Sequence, residues 1–267
     1  MMDLIRERIA GAGSSEAKVN RSREFLQVLA LKILFDRGHF EHIAFTGGTA
    51  LRVLYGMRRF SEDMDFSLVK ADGYGFGAVA SDLEREFNRN NIKAQVNKLT
   101  EKSAVHSCFI KFPDLIGNLA IAGYAKPHLM IKIEIDSNPP VGGRTVVVPV
   151  TEGFVAAVKT FDLPSLFATK LHACFFRKYV KGRDYYDLVW YLGKKVIPNF
   201  PLLNNAILQT QKYDPGIGES NYRELLAEKT EKADFGLIRE DVERFLEDKA
   251  ELKLLDKELV LAMLRNR

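Results

Sequence analysis

The chain has 267 residues, of which 46% are hydrophobic and 28% charged, as is typical of a globular protein with a sizeable core. Its net charge of +4 allows a nucleic-acid partner but does not require one, and two cysteines are too few for a disulfide framework, so a reducing cytoplasm is expected. The N-terminus lacks the apolar core of a signal peptide. No apolar run approaches the roughly 18 residues of a membrane span, so no membrane partner is expected.

The first 160 residues mix helical and strand patterns. Apolar residues recur at helical spacing in "SREFLQVLALKILFDRG", "TALRVLYGM" and "GFGAVASDLEREFNRNN", which predicts three helices. Alternating or β-branched runs predict strands in "HIAFTGG", "MDFSLV", "IKAQVNKL", "VHSCFIKF", "HLMIKIEID" and "RTVVVPV". The strand signal fades after about residue 160.

The rest of the chain has the character of helices. "DLPSLFATKLHACFFRKYV" predicts a helix with Asp162 as N-cap and Pro164 in the first turn, and "DYYDLVWYLGKK" predicts another after Gly182. The charged stretch Arg223–Arg267 is interpreted as solvated amphipathic helices. We therefore predict a sheet domain with N-terminal helices over residues 1–160 and a helical domain over residues 161–267.

A glycine turn stands shortly before two acids in "FTGGTALRVLYGMRRFSEDMDF". Alternate side chains of a strand share one face, so Asp63 and Asp65 are predicted to project together, with Ser61 on the same face. Two carboxylates about 4 Å apart repel by roughly 4 kcal/mol at an effective dielectric near 20, and a divalent cation would relieve that repulsion. The Gly47-Gly48 turn would let backbone approach a phosphate at the start of the following helix.

Taken alone, each motif has an ordinary explanation, since most D-x-D pairs lie on the surface and most Gly-Gly-Thr runs are only turns. The strand "LMIKIEID" adds a third element, because Lys132, Glu134 and Asp136 alternate with isoleucines and face away from the core. A neighbouring strand carrying Glu134 could complete a metal site with Asp63 and Asp65.

A second group of charges lies in "TKLHACFFRKYVKGRDYYDL". Lys170 and Arg177 are seven residues apart and therefore share a helix face, with small residues between them that leave room for a ligand. Two surface cations are the ordinary alternative. Asp184 is predicted to cap the next helix, with Asp187 at its third position. Cys174 is interpreted as a buried filler, and the histidines, which show no metal-binding spacing, as structural or surface residues: His39, His42, His106, His128 and His172.

These motifs occur together in the order of a known family. The glycine turn, the D-x-D pair and the later acid-bearing strand resemble the nucleotidyltransferase superfamily related to DNA polymerase β. More narrowly, "FTGGTALRVLYGMRRFSEDMDFSL", "IKIEID", "LFATKLHACFFR" and "KGRDYYDL" resemble the AbiEii toxin family, which includes the MenT toxins of mycobacteria. The resemblance covers about residues 40 to 195. It implies an α+β fold in which a polymerase β-like domain with a mixed sheet precedes a helical bundle.

The resemblance also implies an activity, the transfer of NMP from an NTP to an acceptor hydroxyl with Mg²⁺ or Mn²⁺, and tRNA is the acceptor of some relatives. It implies that Lys170 contacts the nucleotide phosphates and that the R-D-x-x-D unit borders the active site, with Asp184 essential. We predict these sets: catalytic Asp63, Asp65, Glu134, Lys170 and Asp184; metal-binding Asp63, Asp65, Glu134 and Asp136; nucleotide-binding Gly47, Gly48, Thr49, Arg59, Ser61, Lys170 and Arg177; secondary Lys132 and Asp187.

Three hypotheses follow. The first is a metal-dependent nucleotidyltransferase toxin that acts on RNA, with the tRNA 3′ end favoured, and that is controlled by a winged-helix antitoxin. The second is a catalytically silent module of the same fold that binds a nucleotide or RNA. The third is a nucleotidyltransferase that modifies a protein or a small molecule.

Overall fold

The structure, a computed structural model, describes residues 1–124 and 126–265 and divides the chain into two compact units. The sheet unit comprises Met1–Gly56, Phe60–Pro139 and Val146–Thr160. The helical unit comprises Met57–Arg59, Pro140–Thr145 and the chain from Phe161 onward. Asn266 and Arg267, the end of the predicted helical stretch, lie outside the described residues.

The sheet unit alternates helices and strands along the chain. Its helices are α1 (Met2–Ile9), α2 (Ser15–Asp36), α3 (Gly47–Tyr55), α4 (Phe76–Arg89) and α5 (Leu115–Asn118), with a 3₁₀ turn at His39–Glu41. Its strands are β1 (Ile43–Thr46), β2 (Met64–Leu68), β3 (Gln95–Thr100), β4 (Val105–Phe112), β5 (Leu129–Asp136), β6 (Thr145–Val150) and β7 (Ala156–Phe161).

Within the described residues these strands form one seven-stranded mixed sheet in the order β3-β4-β5-β2-β1-β7-β6. β2 runs antiparallel to β1 and parallel to β5, while β4 runs antiparallel to both β3 and β5. β2 and β5 are therefore neighbours at the centre of the sheet although about 60 residues separate them. The mixed sheet that the sequence predicts is confirmed.

Alternation along β5 explains how one strand serves both the core and a polar face. Leu129, Ile131, Ile133 and Ile135 are all fully buried, whereas the residues between them are half-buried or exposed. The buried row packs beneath α2, which also packs against α4. Each fully buried aliphatic side chain stabilises the fold by about 1.5–3 kcal/mol, which holds β5 in register and its polar face outward.

The helical unit begins with a capped helix. Its helices are α6 (Leu163–Phe176), α7 (Gly182–Gly193), α8 (Phe200–Gln211), α9 (Tyr222–Glu231), α10 (Phe235–Glu243) and α11 (Lys257–Arg265), with a 3₁₀ segment at Lys249–Leu254. The Asp162 carboxylate accepts the N–H of Ser165 at 2.9 Å, and Pro164 lies in the first turn of α6, so both sequence predictions are confirmed.

Sequence reasoning missed three helices and one strand: α1, α5, α8 and β7. β7 has the sequence "AAVKTF", which has too few β-branched residues to predict a strand by itself. It becomes a strand because β1 provides a parallel partner, with Phe45 opposite Thr160. Along residues 1–124 and 126–265, no helix has both the length and the apolar character needed to cross a membrane.

Candidate active site

The glycine turn meets one of the acids directly. β1 runs into α3 without a connecting loop, and Gly47, the first residue of α3, has a φ of +74°. A Cβ atom at Gly47 would lie 2.2 Å from Oδ2 of Asp65, so only glycine fits here. The Asp65 carboxylate therefore rests against the N-terminus of a helix, where the backbone dipoles favour negative charge.

The first acid is held through its backbone. Thr49 is fully buried, and its hydroxyl donates to the carbonyl oxygen of Asp63. The side-chain amide of Gln27 in α2 donates to the carbonyls of Ser61 and Glu62, at 3.0 and 3.2 Å. Three successive carbonyls thus bond to side chains of α2 and α3 in place of a neighbouring strand. This arrangement fixes the backbone at Asp63, just before β2 begins.

Strand register brings the third acid beside the second. Asp65 in β2 pairs with Glu134 in β5, and Ser67 pairs with Asp136. Paired residues of neighbouring strands are about 4.8 Å apart and point to the same face, so Glu134 stands next to Asp65. Asp136 lies one step further, about 6.5–7 Å along the strand. Of the two acids on β5, Glu134 is the one adjacent to the D-x-D pair.

A cation lies beside this pair of acids. Nζ of Lys132 is 2.7 Å from Oε1 of Glu134 and 5.9 Å from the ring centroid of Phe109. Asp136 differs in its surroundings: its carboxylate accepts the N–H of Asn138 at 3.0 Å, and burial raises its pKa despite that bond. Lys132 thus offsets the repulsion that Glu134 and Asp65 would otherwise exert on each other.

A different charge cluster lies within the helical unit. Arg59 forms a bidentate pair with Asp187, at 2.6 and 2.7 Å. Nζ of Lys170 lies 2.9 Å from Asp184 and 2.8 Å from Asp187, and Arg177 donates to the other oxygen of Asp184. Each acid has two cationic partners, and the shared partner Lys170 joins the five side chains into one network. Asp187 is fully buried in it and Arg59 nearly so.

The cations of this network keep Asp187 ionised. Burial alone would raise the pKa of Asp187, but Arg59 and Lys170 outweigh burial and hold it below its usual range. Burial alone would lower the pKa values of Lys170 and Arg59, and the neighbouring carboxylates raise both instead. Asp187, Lys170 and Arg59 are therefore all charged at neutral pH.

Comparison with known proteins identifies the family of this chain. The model of the family described as nucleotidyl transferase AbiEii toxin, type IV TA system, matches residues 29–259, which is most of the chain. The chain belongs to this family. Membership makes it a nucleotidyltransferase of a toxin–antitoxin type, which confirms the family resemblance, and implies an NTP substrate and an antitoxin partner.

Two solved structures resemble this AbiEii-family protein. A candidate nucleotidyltransferase from Helicobacter pylori is 20% identical, with 91% of this chain and 89% of that chain covered and a TM-score of 0.51, which supports the fold. The protein JHP933 from Helicobacter pylori is 19% identical over 92% of this chain and 88% of that chain, with a TM-score of 0.47. No curated protein matches the sequence.

The donor set of this candidate site suits a divalent metal, although the carboxylates are not preassembled around one. Among residues 1–124 and 126–265, no group of three or more His, Cys, Asp or Glu side chains is arranged to hold a metal ion. Mg²⁺ is usually bound by one or two carboxylates together with substrate phosphates, so a closed protein cage is not required. Asp65 beside Glu134, with Asp63 just before the strand, provides oxygen donors of the required type.

Two local sequence predictions are wrong. Asp184 does not cap α7, which begins earlier, at Gly182, because the Gly182 N–H is bound by the Asp241 carboxylate at 2.8 Å. Ser61 and Asp63 do not share a strand face with Asp65, because both precede β2, which begins only at Met64.

Sequence reasoning did not find the contacts that hold the predicted site residues. Arg59, a predicted nucleotide-binding residue, pairs through its guanidinium with Asp187, and the hydroxyl of Thr49 donates to the backbone carbonyl of Asp63. One signal was available for the first contact: Asp187 lies among apolar residues on α7, and a buried acid requires a cationic partner. Cys174, predicted to be a buried filler, is only partly buried, although burial raises the pKa of its thiol.

Proposed function

We propose that this AbiEii-family enzyme transfers NMP from an NTP to a hydroxyl of RNA, with the 3′ end of tRNA as the favoured acceptor. The observation that carries the proposal is the contact of three features in the sheet unit: the Gly47 turn, Asp65 against it, and Glu134 paired with Asp65. A phosphate-binding turn, a metal-binding acid and a further carboxylate are the parts that phosphoryl transfer needs.

Asp63, Asp65 and Glu134 would hold the divalent metal, with Mg²⁺ the expected ion. When bound, it would neutralise phosphate charge and lower the pKa of the attacking hydroxyl. The amides of Gly47 and Gly48 at the start of α3 bind the β- and γ-phosphates, because helix N-termini favour anions. Thr49 acts on Asp63 through its hydroxyl bond and therefore positions the first acid.

The proposed reaction is a displacement at the α-phosphorus of the NTP. The acceptor oxygen attacks the α-phosphorus, the bond to the bridging oxygen breaks, and pyrophosphate leaves. Glu134 accepts the hydroxyl proton. The nearby ammonium of Lys132, at 2.7 Å from Oε1, orients the Glu134 carboxylate before the substrate arrives.

Lys170 is proposed to bind phosphate as well. An ammonium has three donors, of which two are directed to Asp184 and Asp187, so one is available for a phosphate oxygen. In this proposal Arg177 and Asp184 fix the direction of that ammonium, and Arg59 and Asp187 support it from the interior. For the antitoxin we propose a small winged-helix protein, as in related toxin–antitoxin pairs.

The position of the label in the NTP tests the proposal. The protein is incubated with Mg²⁺, total RNA, total protein and each NTP labelled at either the α- or the γ-phosphate. We expect α-label in the RNA pool, no γ-label in any pool, and no transfer after the metal is chelated. γ-Label in either pool would indicate a kinase and overturn the proposal. α-Label in protein alone would keep the chemistry but replace the acceptor.

The register of β5 predicts which of its acids is required. Glu134→Gln is expected to lower the transfer rate by about 100-fold or more, because it removes the carboxylate beside Asp65. Asp136→Asn, the matched control, is expected to stay within a few-fold of the parent because Asp136 is opposite Ser67. The measurement compares the initial transfer rates of the parent and both variants at saturating NTP, on samples with equal melting temperatures. Equal losses in the two variants would overturn the assignment of Glu134.

A further inference from the structure

The loop between α6 and α7 presents an aromatic ring among cations. We define the 177–181 loop as Arg177, Lys178, Tyr179, Val180 and Lys181. Tyr179 is 70% exposed, the most exposed aromatic side chain in residues 1–124 and 126–265, and Val180 beside it is 56% exposed. Three of the five residues are cationic and none is acidic, so the loop concentrates positive charge around an accessible ring.

Contacts within the helical unit hold both ends of this loop. At its start, the Arg177 N–H donates to the carbonyl of Ala173 at 3.0 Å, and the Arg177 guanidinium pairs with Asp184. At its end, the Gly182 N–H donates to Asp241 at 2.8 Å, and a Cβ atom on Gly182 would lie 2.0 Å from the carbonyl oxygen of Ile238. The exposed side chains of Tyr179 and Val180 thus lie between two fixed ends of the loop.

The chemistry of the exposed residues of this loop suits a single-stranded nucleic acid. Nζ of Lys178 lies 5.5 Å from the ring centroid of Tyr179, and at 70% exposure the ring remains open to a planar ligand. Bases of single strands stack on such rings, and lysines beside them neutralise phosphates. An acidic peptide would meet the same cations, but it offers no planar base to stack on the ring.

We propose that the 177–181 loop binds a single-stranded segment of the RNA acceptor, with Tyr179 stacking on a base and Lys178 and Lys181 binding phosphates. This inference rests on the proposed function, because it assigns the acceptor of that reaction to a particular loop. Arg177 stays with Asp184, so the RNA-binding loop adjoins the network that contains Lys170.

Binding of a fluorescently labelled 12-nucleotide single-stranded RNA to the whole protein, without NTP, tests the loop. Tyr179→Ala is expected to raise Kd about 10-fold and Tyr179→Phe to leave it unchanged, because phenylalanine keeps the stacking ring. Lys178→Gln and Lys181→Gln should each reduce the slope of log K against log salt by about 0.7. Tyr213→Ala is the matched control, since Tyr213 is a 51% exposed tyrosine of the same unit outside this loop.

The outcomes separate this inference from the proposed function. If Tyr179→Ala binds RNA as the parent does, the loop inference is overturned, whereas α-label transfer into RNA by the same variant would leave the proposed function standing. If Tyr179→Ala loses RNA binding while the parent transfers no label to RNA, the loop binds single-stranded RNA, but RNA is not the acceptor and the proposed function fails. Unlabelled RNA and polyglutamate are also compared as competitors of the labelled RNA. If the two compete equally well, both for the parent and for Tyr179→Ala, the inference is overturned in favour of an acidic protein partner.

Discussion

Replacement of Asp63 by alanine is expected to lower nucleotide transfer by at least about 100-fold while the protein stays folded. The carboxylate is a proposed metal ligand, so its loss removes charge stabilisation from the transferred phosphoryl group. The fold should persist because Asp63 is anchored through its backbone carbonyl, which still accepts the Thr49 hydroxyl in the variant. Removing one of several neighbouring acids also relieves repulsion, which favours an unchanged or higher melting temperature.

The measurement pairs α-label transfer with thermal unfolding of the same samples. Asp72→Ala is the matched control, because Asp72 is an exposed acid that follows the same strand. It should transfer label at the parent rate. If expression of the parent arrests growth, Asp63→Ala should relieve the arrest while accumulating in soluble form. A folded Asp63→Ala protein that transfers label at the parent rate would contradict the proposed site.

Replacement of Asp187 by alanine is expected to lower the free energy of unfolding of the helical unit by about 3–5 kcal/mol. The substitution leaves the buried Arg59 guanidinium without its bidentate partner and removes one of the two carboxylates that bind Lys170. A buried cation that loses its partner bears its full desolvation cost, so the penalty exceeds that of breaking a surface pair.

Urea unfolding followed by tryptophan fluorescence measures this effect. Trp190, the one tryptophan of the chain, lies in α7, the helix that carries Asp187. Glu243→Gln is the control, since its pair with Lys249 is solvent-exposed and should contribute no more than about 1 kcal/mol. Equal midpoints for the parent and Asp187→Ala would contradict a stabilising role for the network.

The same network predicts a pH dependence. The pKa of Asp187 is lower in the folded protein than in the unfolded chain, so its stabilisation is complete above the unfolded value of about 3.9. The stabilisation is lost as the pH falls from there through the folded pKa. The difference in unfolding free energy between the parent and Asp187→Ala should therefore shrink below about pH 4 and stay constant from pH 5 to 8.

Local pattern was sufficient for much of the fold and for the kind of chemistry. Alternation predicted β5 and the outward direction of Glu134, the Asp162 cap predicted the start of α6, and the glycine pair predicted the turn before α3. Each of these features is decided within a few residues, by side-chain periodicity or by a cap whose partner is near in sequence. The order of the motifs was likewise sufficient for the family.

Tertiary structure decided which of these groups meet. The sequence by itself determined that two acids follow a glycine turn and that a later strand carries Glu134 and Asp136, but only the parallel register of β2 with β5 places Glu134 beside Asp65. Arg59 pairs with Asp187 across 128 positions of sequence, a contact that no local periodicity encodes. The physical reason is the same in both cases: long-range pairing is chosen by burial of the apolar rows and by the need of a buried charge for a partner, and both depend on the whole fold.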